Sequence, residues 1–180
     1  MKGRIYVWNN LKADWFSSAQ RFFTRMPYTH SSYGIGQVLG LDSQLEAKEA
    51  VTVTPISLGA PQVEVRIFRI NATPQVIEEL TANAYFRSAG NVYGFAQVLW
   101  FVYRYLGETF GIDMRKKKNW FPNGDICSEV VYFILEDLAR ISDYAPLAET
   151  LSEWHSNTFH SGDVITMMER FPGTFIEEYR

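Results

Sequence analysis

Polar and apolar residues alternate from Val63 to Ile70 (Val-Glu-Val-Arg-Ile-Phe-Arg-Ile), the period of a strand with one buried face. Val51 to Thr54 alternates in the same way, and Ile5 to Trp8 is a short β-prone run ended by Asn9-Asn10. A longer strand is expected from Tyr28 to Leu39 with His30 at its start, then a turn at 40–43 and further extended residues at Gln44–Ala47. Elsewhere the period is helical. Trp15, Ala19, Phe22 and Phe23 share one side of an element over 15–25 that Pro27 closes. Thr73-Pro74 is a helix start with proline in the first turn, and that helix runs to about Phe86, before the breaker Ser88-Ala89-Gly90-Asn91. Residues 93–106 are apolar on nearly all sides, as in a helix packed against several neighbours. Cys127, Val130, Val131, Ile134, Leu135 and Leu138 follow i, i+3, i+4, i+7, i+8, i+11, one face of another helix. A weaker helix is expected from Pro146 to Trp154, a turn and short strand from Ser161 to Thr166, and an irregular tail. This order predicts an α+β fold with an antiparallel sheet and segregated helices.

Composition narrows the class. A chain of 180 residues fits one domain, 1–180, and 47% hydrophobic with 16% aromatic residues supplies a core that a disordered chain lacks. A net charge of −3 gives no global positive field for nucleic acid. The local basic run Arg115-Lys116-Lys117-Lys118 reads as a solvated loop, with a phosphate or anionic lipid contact as the alternative. One cysteine makes no internal disulfide and too few ligands for a Cys-based zinc site. No HExxH and no phosphate loop occurs, so neither metal nor cofactor is expected. The longest apolar stretch, Tyr93–Leu106, contains Gln97 and Arg104 and is too short for a membrane span. Met1 to Trp8 lacks a long apolar signal core, so the expected location is cytoplasmic, with a phage-encoded enzyme as one setting.

The candidate chemistry centres on Cys127. Asn123-Gly124-Asp125 is a turn that leads into the apolar-periodic run, with Asp125 as the expected N-cap. The thiol then falls in the first helical turn, where unpaired N–H groups and the helix dipole favour an anion. Its place on the apolar stripe also fits a buried core cysteine. Of the three histidines, His155 and His160 lie five apart in a polar stretch and read as exposed loop residues. His30 alone reads as a structural residue, and with Cys127 as the base of a thiol–imidazole pair. Glu46 reads as a surface carboxylate or as the group that orients His30. A tight hairpin turning at Gly40-Leu41-Asp42 places Glu46 opposite about Gly36. Glu46 meets His30 only if the hairpin bulges or turns earlier, with Glu49 as the fallback.

Six segments fall in a telling order. Phe22-Phe23-Thr24-Arg25-Met26-Pro27-Tyr28-Thr29-His30 is a helix end followed by an aromatic entry into the histidine strand. Leu45-Glu46-Ala47 precedes Val51-Thr52-Val53-Thr54-Pro55, and Val65-Arg66-Ile67-Phe68-Arg69 is an arginine-bearing strand. Gly90-Asn91-Val92-Tyr93-Gly94-Phe95, Cys127-Ser128-Glu129-Val130-Val131 and Ser161-Gly162-Asp163-Val164 follow. Together they resemble the circularly permuted, NlpC-type branch of the papain-like cysteine hydrolases, particularly the YiiX/YebB-like group. The histidine preceding the cysteine by most of the chain is what permutation requires.

The resemblance implies a permuted papain-like fold whose antiparallel sheet packs against the cysteine helix. It implies Cys127 as nucleophile, His30 as base, Glu46 as third member and Tyr93 as a contributor to the oxyanion or substrate site. Gly94 departs from the aspartate common in the family. The implied activity is hydrolysis of an amide or ester in a peptide, amide or acyl-lipid substrate, through a thioester. The rival reading is a non-catalytic binding module on the same fold, using the groove between the Cys127 helix and the His30 strand.

Overall fold

A computed structural model describes residues 2–10, 15–47, 50–58, 63–91, 95–118, 120 and 126–178. Six strands form one antiparallel sheet: β1 (Arg4–Asn10), β2 (His30–Val38), β3 (Leu41–Ala47), β4 (Val51–Pro55), β5 (Val63–Ile70) and β6 (Phe175–Glu178), in the order β4-β3-β2-β1-β5-β6. The helices are α1 (Trp15–Thr24), α2 (Pro74–Ser88), α3 (Phe95–Thr109), α4 (Cys127–Ile141), α5 (Ala145–Leu151) and α6 (Ser161–Arg170). The expected α+β class is what the chain adopts.

Strand alternation decides which face carries the helices. Ile5 and Val7 of β1, Tyr33 of β2, Leu45 of β3, and Phe68 and Ile70 of β5 enter the main core with the apolar stripe of α4. The intervening residues Tyr6, Trp8 and Ile67 build a smaller cluster on the other face, closed by Ile56, Leu58, Val63 and Val65. Helix α4 buries Val130, Val131, Ile134, Leu135 and Leu138, the residues its spacing singles out.

The β2–β3 hairpin turns at Leu39-Gly40, both with positive φ (51° and 79°), so Val38 pairs with Leu41. That is earlier than the turn expected from the sequence. The ladder then slips by one residue between Gly34 and Gly36, a bulge at Ile35 that places Glu46 opposite Ser32. Gly36 takes the positive φ (98°) that this slip requires. Glu46 therefore shares a side of the ladder with Ser32 and with His30, two residues back.

Two expectations at the C-terminal end fail. Ser161–Thr166 is the beginning of α6, not a turn and strand. The Ser-Gly-Asp that reads as a turn is the first turn of a helix, with His160 as N-cap in a reciprocal capping box with Asp163. The tail is not irregular, because Phe175–Glu178 pairs with β5 as an edge strand. Its acidic residues are matched by cations on neighbouring strands. Arg66 donates to both oxygens of Glu177 (2.7 and 2.8 Å), and Arg4 donates to Glu178 at 2.6 Å.

Helices α3 and α6 are tied by a buried ion pair. Arg104 donates to Asp163 at 2.6 and 3.2 Å and to the Thr158 carbonyl at 2.7 Å. Replacing one partner strands a buried charge, which costs about 3–5 kcal/mol. Arg104→Leu is expected to lower the melting temperature by roughly 10 °C. A melting curve that superimposes on that of the unmodified protein would contradict this role for the pair.

Candidate active site

Cys127 is the first residue of α4. Its N-cap, Ile126, has extended backbone (φ −95°, ψ 160°) and contributes no side-chain cap. The expected cap, Asp125, lies outside the described residues. Ile126 thus offers the opening N–H groups of α4 no side-chain acceptor, and the thiol sits at the positive end of the helix dipole. The thiol is 5% exposed. Burial pushes its pKa up, but the charge and hydrogen bond of His30, the Ser31 backbone N–H and the Ser161 hydroxyl outweigh that and hold it below the ordinary thiol value.

His30 opens β2 and links the thiol to a carboxylate. Its Nε2 lies 2.9 Å from Glu46 Oε2, which leaves Nδ1 as the ring nitrogen for the sulfur. Burial alone would disfavour the charged ring. The Cys127 thiolate and the Glu46 carboxylate reverse this and raise the pKa to about 9. Cys127 and His30 therefore shift each other toward the thiolate–imidazolium pair.

Glu46 is 2% exposed and is fixed from its other side as well. The Thr54 hydroxyl donates to Oε1. A line of polar side chains continues across the sheet: Trp8 Nε1 donates to Ser32 Oγ at 2.9 Å, Ser32 donates to Gln44 at 2.7 Å, and Gln44 lies 3.5 Å from Thr54. These residues stand on β1, β2, β3 and β4, so four strands fix one carboxylate.

The start of α6 is the part of the site that sequence reasoning missed. The Ser161 hydroxyl lines the cleft beside Cys127 and helps to lower its pKa. His160, expected in an exposed loop, is 7% exposed. Its Nδ1 accepts from the backbone N–H of Gly162 (3.0 Å) and of Asp163 (3.2 Å), while its own N–H donates to Asp163 Oδ2 at 2.9 Å. The ring meets Phe101 edge to face at 5.7 Å between centroids. Gly162 is required by crowding: a Cβ there would lie 2.4 Å from Met26 Cγ and 2.9 Å from the His160 ring. The available signal was an N-cap-capable residue three before Asp163. His155 is half-buried rather than exposed.

Cys127, Ser128, His160 and Ser161 line one narrow cleft, closed on another side by Gln20 and Thr24 of α1. A wider groove between α4 and α5, lined by Tyr132, Glu136, Arg140 and Tyr144, lies away from these groups. Tyr93, Gly94 and Glu49 lie outside the described residues. In the basic run, Arg115 pairs with Asp113 and Glu153, whereas Lys116, Lys117 and Lys118 are exposed and without ion pairs among the described residues. Among the described residues, no three His, Cys, Asp or Glu side chains converge as metal ligands would. No described helix is long and apolar enough to cross a membrane.

No protein-family model matches the chain, and no curated protein matches it. A solved structure does: that of the metalloprotein YiiX from Escherichia coli O157:H7, at 16% identity over 83% of this chain and 78% of that one, with a TM-score of 0.52. The chain thus has a YiiX-like α+β fold.

Proposed function

We propose that this protein is a cysteine hydrolase that cleaves an amide or ester bond through a Cys127–His30–Glu46 triad on a permuted papain-like, NlpC-type fold. The observation that carries the proposal is a line of three groups, thiol to half-buried imidazole to buried carboxylate, with the thiol at a helix N-terminus. A core cysteine needs none of these partners.

The Cys127 thiolate attacks the substrate carbonyl, forming a C–S bond as the carbonyl π electrons move onto oxygen. The oxyanion collapses, the bond to the leaving group breaks, and that group takes the His30 proton. Neutral His30 then accepts a proton from water as it attacks the thioester. The C–S bond breaks and the thiolate returns. Glu46 keeps the ring oriented and stabilises its charged form, as the carboxylate of a serine-protease triad does. The substrate class is a peptide, amide or acyl-lipid carbonyl, and a reducing, cytoplasmic setting suits the thiolate.

Cys127→Ala and Cys127→Ser are expected to abolish both p-nitrophenyl acetate hydrolysis and labelling by a thiol-directed acyl probe. Retained turnover in either variant would sink the proposal. The pH dependence follows from the shifts. Thiolate is lost as pH falls through the depressed Cys127 pKa, and the acid proton on His30 is lost as pH rises through about 9. Hydrolysis should therefore trace a bell with its alkaline limb near pH 9, while iodoacetamide alkylation, which needs only thiolate, stays high there. Glu46→Gln removes two influences that raise the His30 pKa, so the alkaline limb should move to lower pH and hydrolysis fall by roughly 10²-fold. An unchanged profile in that variant would exclude Glu46 from the triad.

A further inference from the structure

The thiol, base and orienting acid leave one requirement of acyl transfer open, a second donor for the oxyanion. The Cys127 backbone N–H at the start of α4 is one donor. His160 faces the same cleft and is held in a defined protonation state by backbone geometry. Two backbone N–H groups point at its Nδ1, so that nitrogen must carry a lone pair. In the neutral ring the proton is then on Nε2, which has no hydrogen-bond partner among the described residues. Burial, opposed by Asp163 and reinforced by Arg104, depresses the His160 pKa and keeps the ring neutral. Four contacts fix its position: Asp163 on its backbone N–H, Gly162 and Asp163 on Nδ1, and Phe101 against its face. Asp163 is in turn held by Arg104. A polar N–H on a rigid, buried ring beside a reactive thiol is what oxyanion stabilisation uses, because such a donor needs no reorganisation when charge appears.

We infer that the Nε2–H of His160 donates a hydrogen bond to the carbonyl oxygen attacked by Cys127, completing the oxyanion site with the Cys127 backbone N–H. The proposal rests on the acyl-transfer reading above. The Nε2 proton stays on His160 throughout: as sulfur adds to the carbonyl carbon, the hydrogen bond shortens onto a negative oxygen, and it relaxes when the leaving group departs. His30 moves the protons and His160 does not. The two histidines near Cys127 thus differ in state, His30 raised toward the charged form and His160 held neutral.

The test separates this role from the structural one. Asparagine is a strong N-cap residue, so His160→Asn keeps an acceptor for the first turn of α6 while removing the ring donor. Iodoacetamide alkylation is displacement at a saturated carbon and forms no oxyanion, whereas p-nitrophenyl acetate hydrolysis does. His160→Asn is expected to lower kcat for p-nitrophenyl acetate by about 10²–10³-fold. Its alkylation rate at Cys127 should stay within about 2-fold of the unmodified protein, a difference well under 1 kcal/mol. His160→Ser, also an N-cap residue, is measured beside it and decides the matter if the asparagine variant does not fold. Hydrolysis that survives either folded variant overturns the inference. So does a parallel loss of hydrolysis and alkylation, which would mark a residue that only supports the thiolate. Selective loss of hydrolysis in Gln20→Ala, with His160→Asn active, would assign the donor to α1 instead. An unmodified protein that alkylates at Cys127 but hydrolyses nothing would refute the acyl-transfer reading itself, and this inference with it.

Discussion

The pairing of β2 with β3 decides both the core and the site. A strand shows alternate residues to opposite faces, so one residue of slip exchanges every inward and outward side chain. With the bulge at Ile35, Leu45 and Ala47 enter the helix-covered core while Gln44 and Glu46 join the polar row with Ser32. Without it, Glu46 would stand opposite Tyr33, on the apolar face, and Leu45 would be turned out. The cost of a buried carboxylate is large enough to exclude that register. The same constraint that packs the core therefore brings Glu46 to His30.

Two networks of buried charge meet around Cys127. One runs along the sheet from Trp8 to Glu46 and ends on His30. The other runs between helices from Arg104 through Asp163 to His160. Neither contributes much net stability by Coulomb attraction, since desolvation offsets most of it. What they supply is placement. The first network favours a charged ring, whereas burial and the two N–H groups on Nδ1 keep the second ring neutral, although both are histidine. Helices α4 and α6 both begin beside the sulfur, and the partial positive charge of those two ends adds to the field that holds the thiolate.

Much of this was legible in the sequence where period and residue type agree. The α4 stripe, the β5 alternation and the helix opened by Thr73-Pro74 fold as their patterns predict, since each has enough residues to show a period. Cys127, His30 and Glu46 were named from their types and order, and the fold brings the three together. The bulge was not legible as such, because Gly34-Ile35-Gly36 permits a slip without demanding one. His160 was misread for a different reason. Apart from Phe159, its neighbours Ser156 to Gly162 are polar or small, which suggests exposure, whereas tertiary packing that includes Phe101 of α3 buries the ring. Strand β6 was missed because four residues with two acids carry no strand signal of their own. Phe175 is buried in the core, and Glu177 and Glu178 pair with Arg66 of β5 and Arg4 of β1.

The groups around the sulfur come from distant parts of the chain: His30 and Ser31 from near its beginning, Cys127 from beyond its middle, and Ser161 from near its end. Contacts so remote in sequence form late, after the entropy of closing long loops has been met by other interactions. During synthesis Cys127 emerges well before α6. Without Ser161 it lacks one of the donors that lower its pKa, and the first turn of α6 is missing from its field. The lowering of the thiol pKa therefore draws on three parts of the chain that only the folded domain brings together.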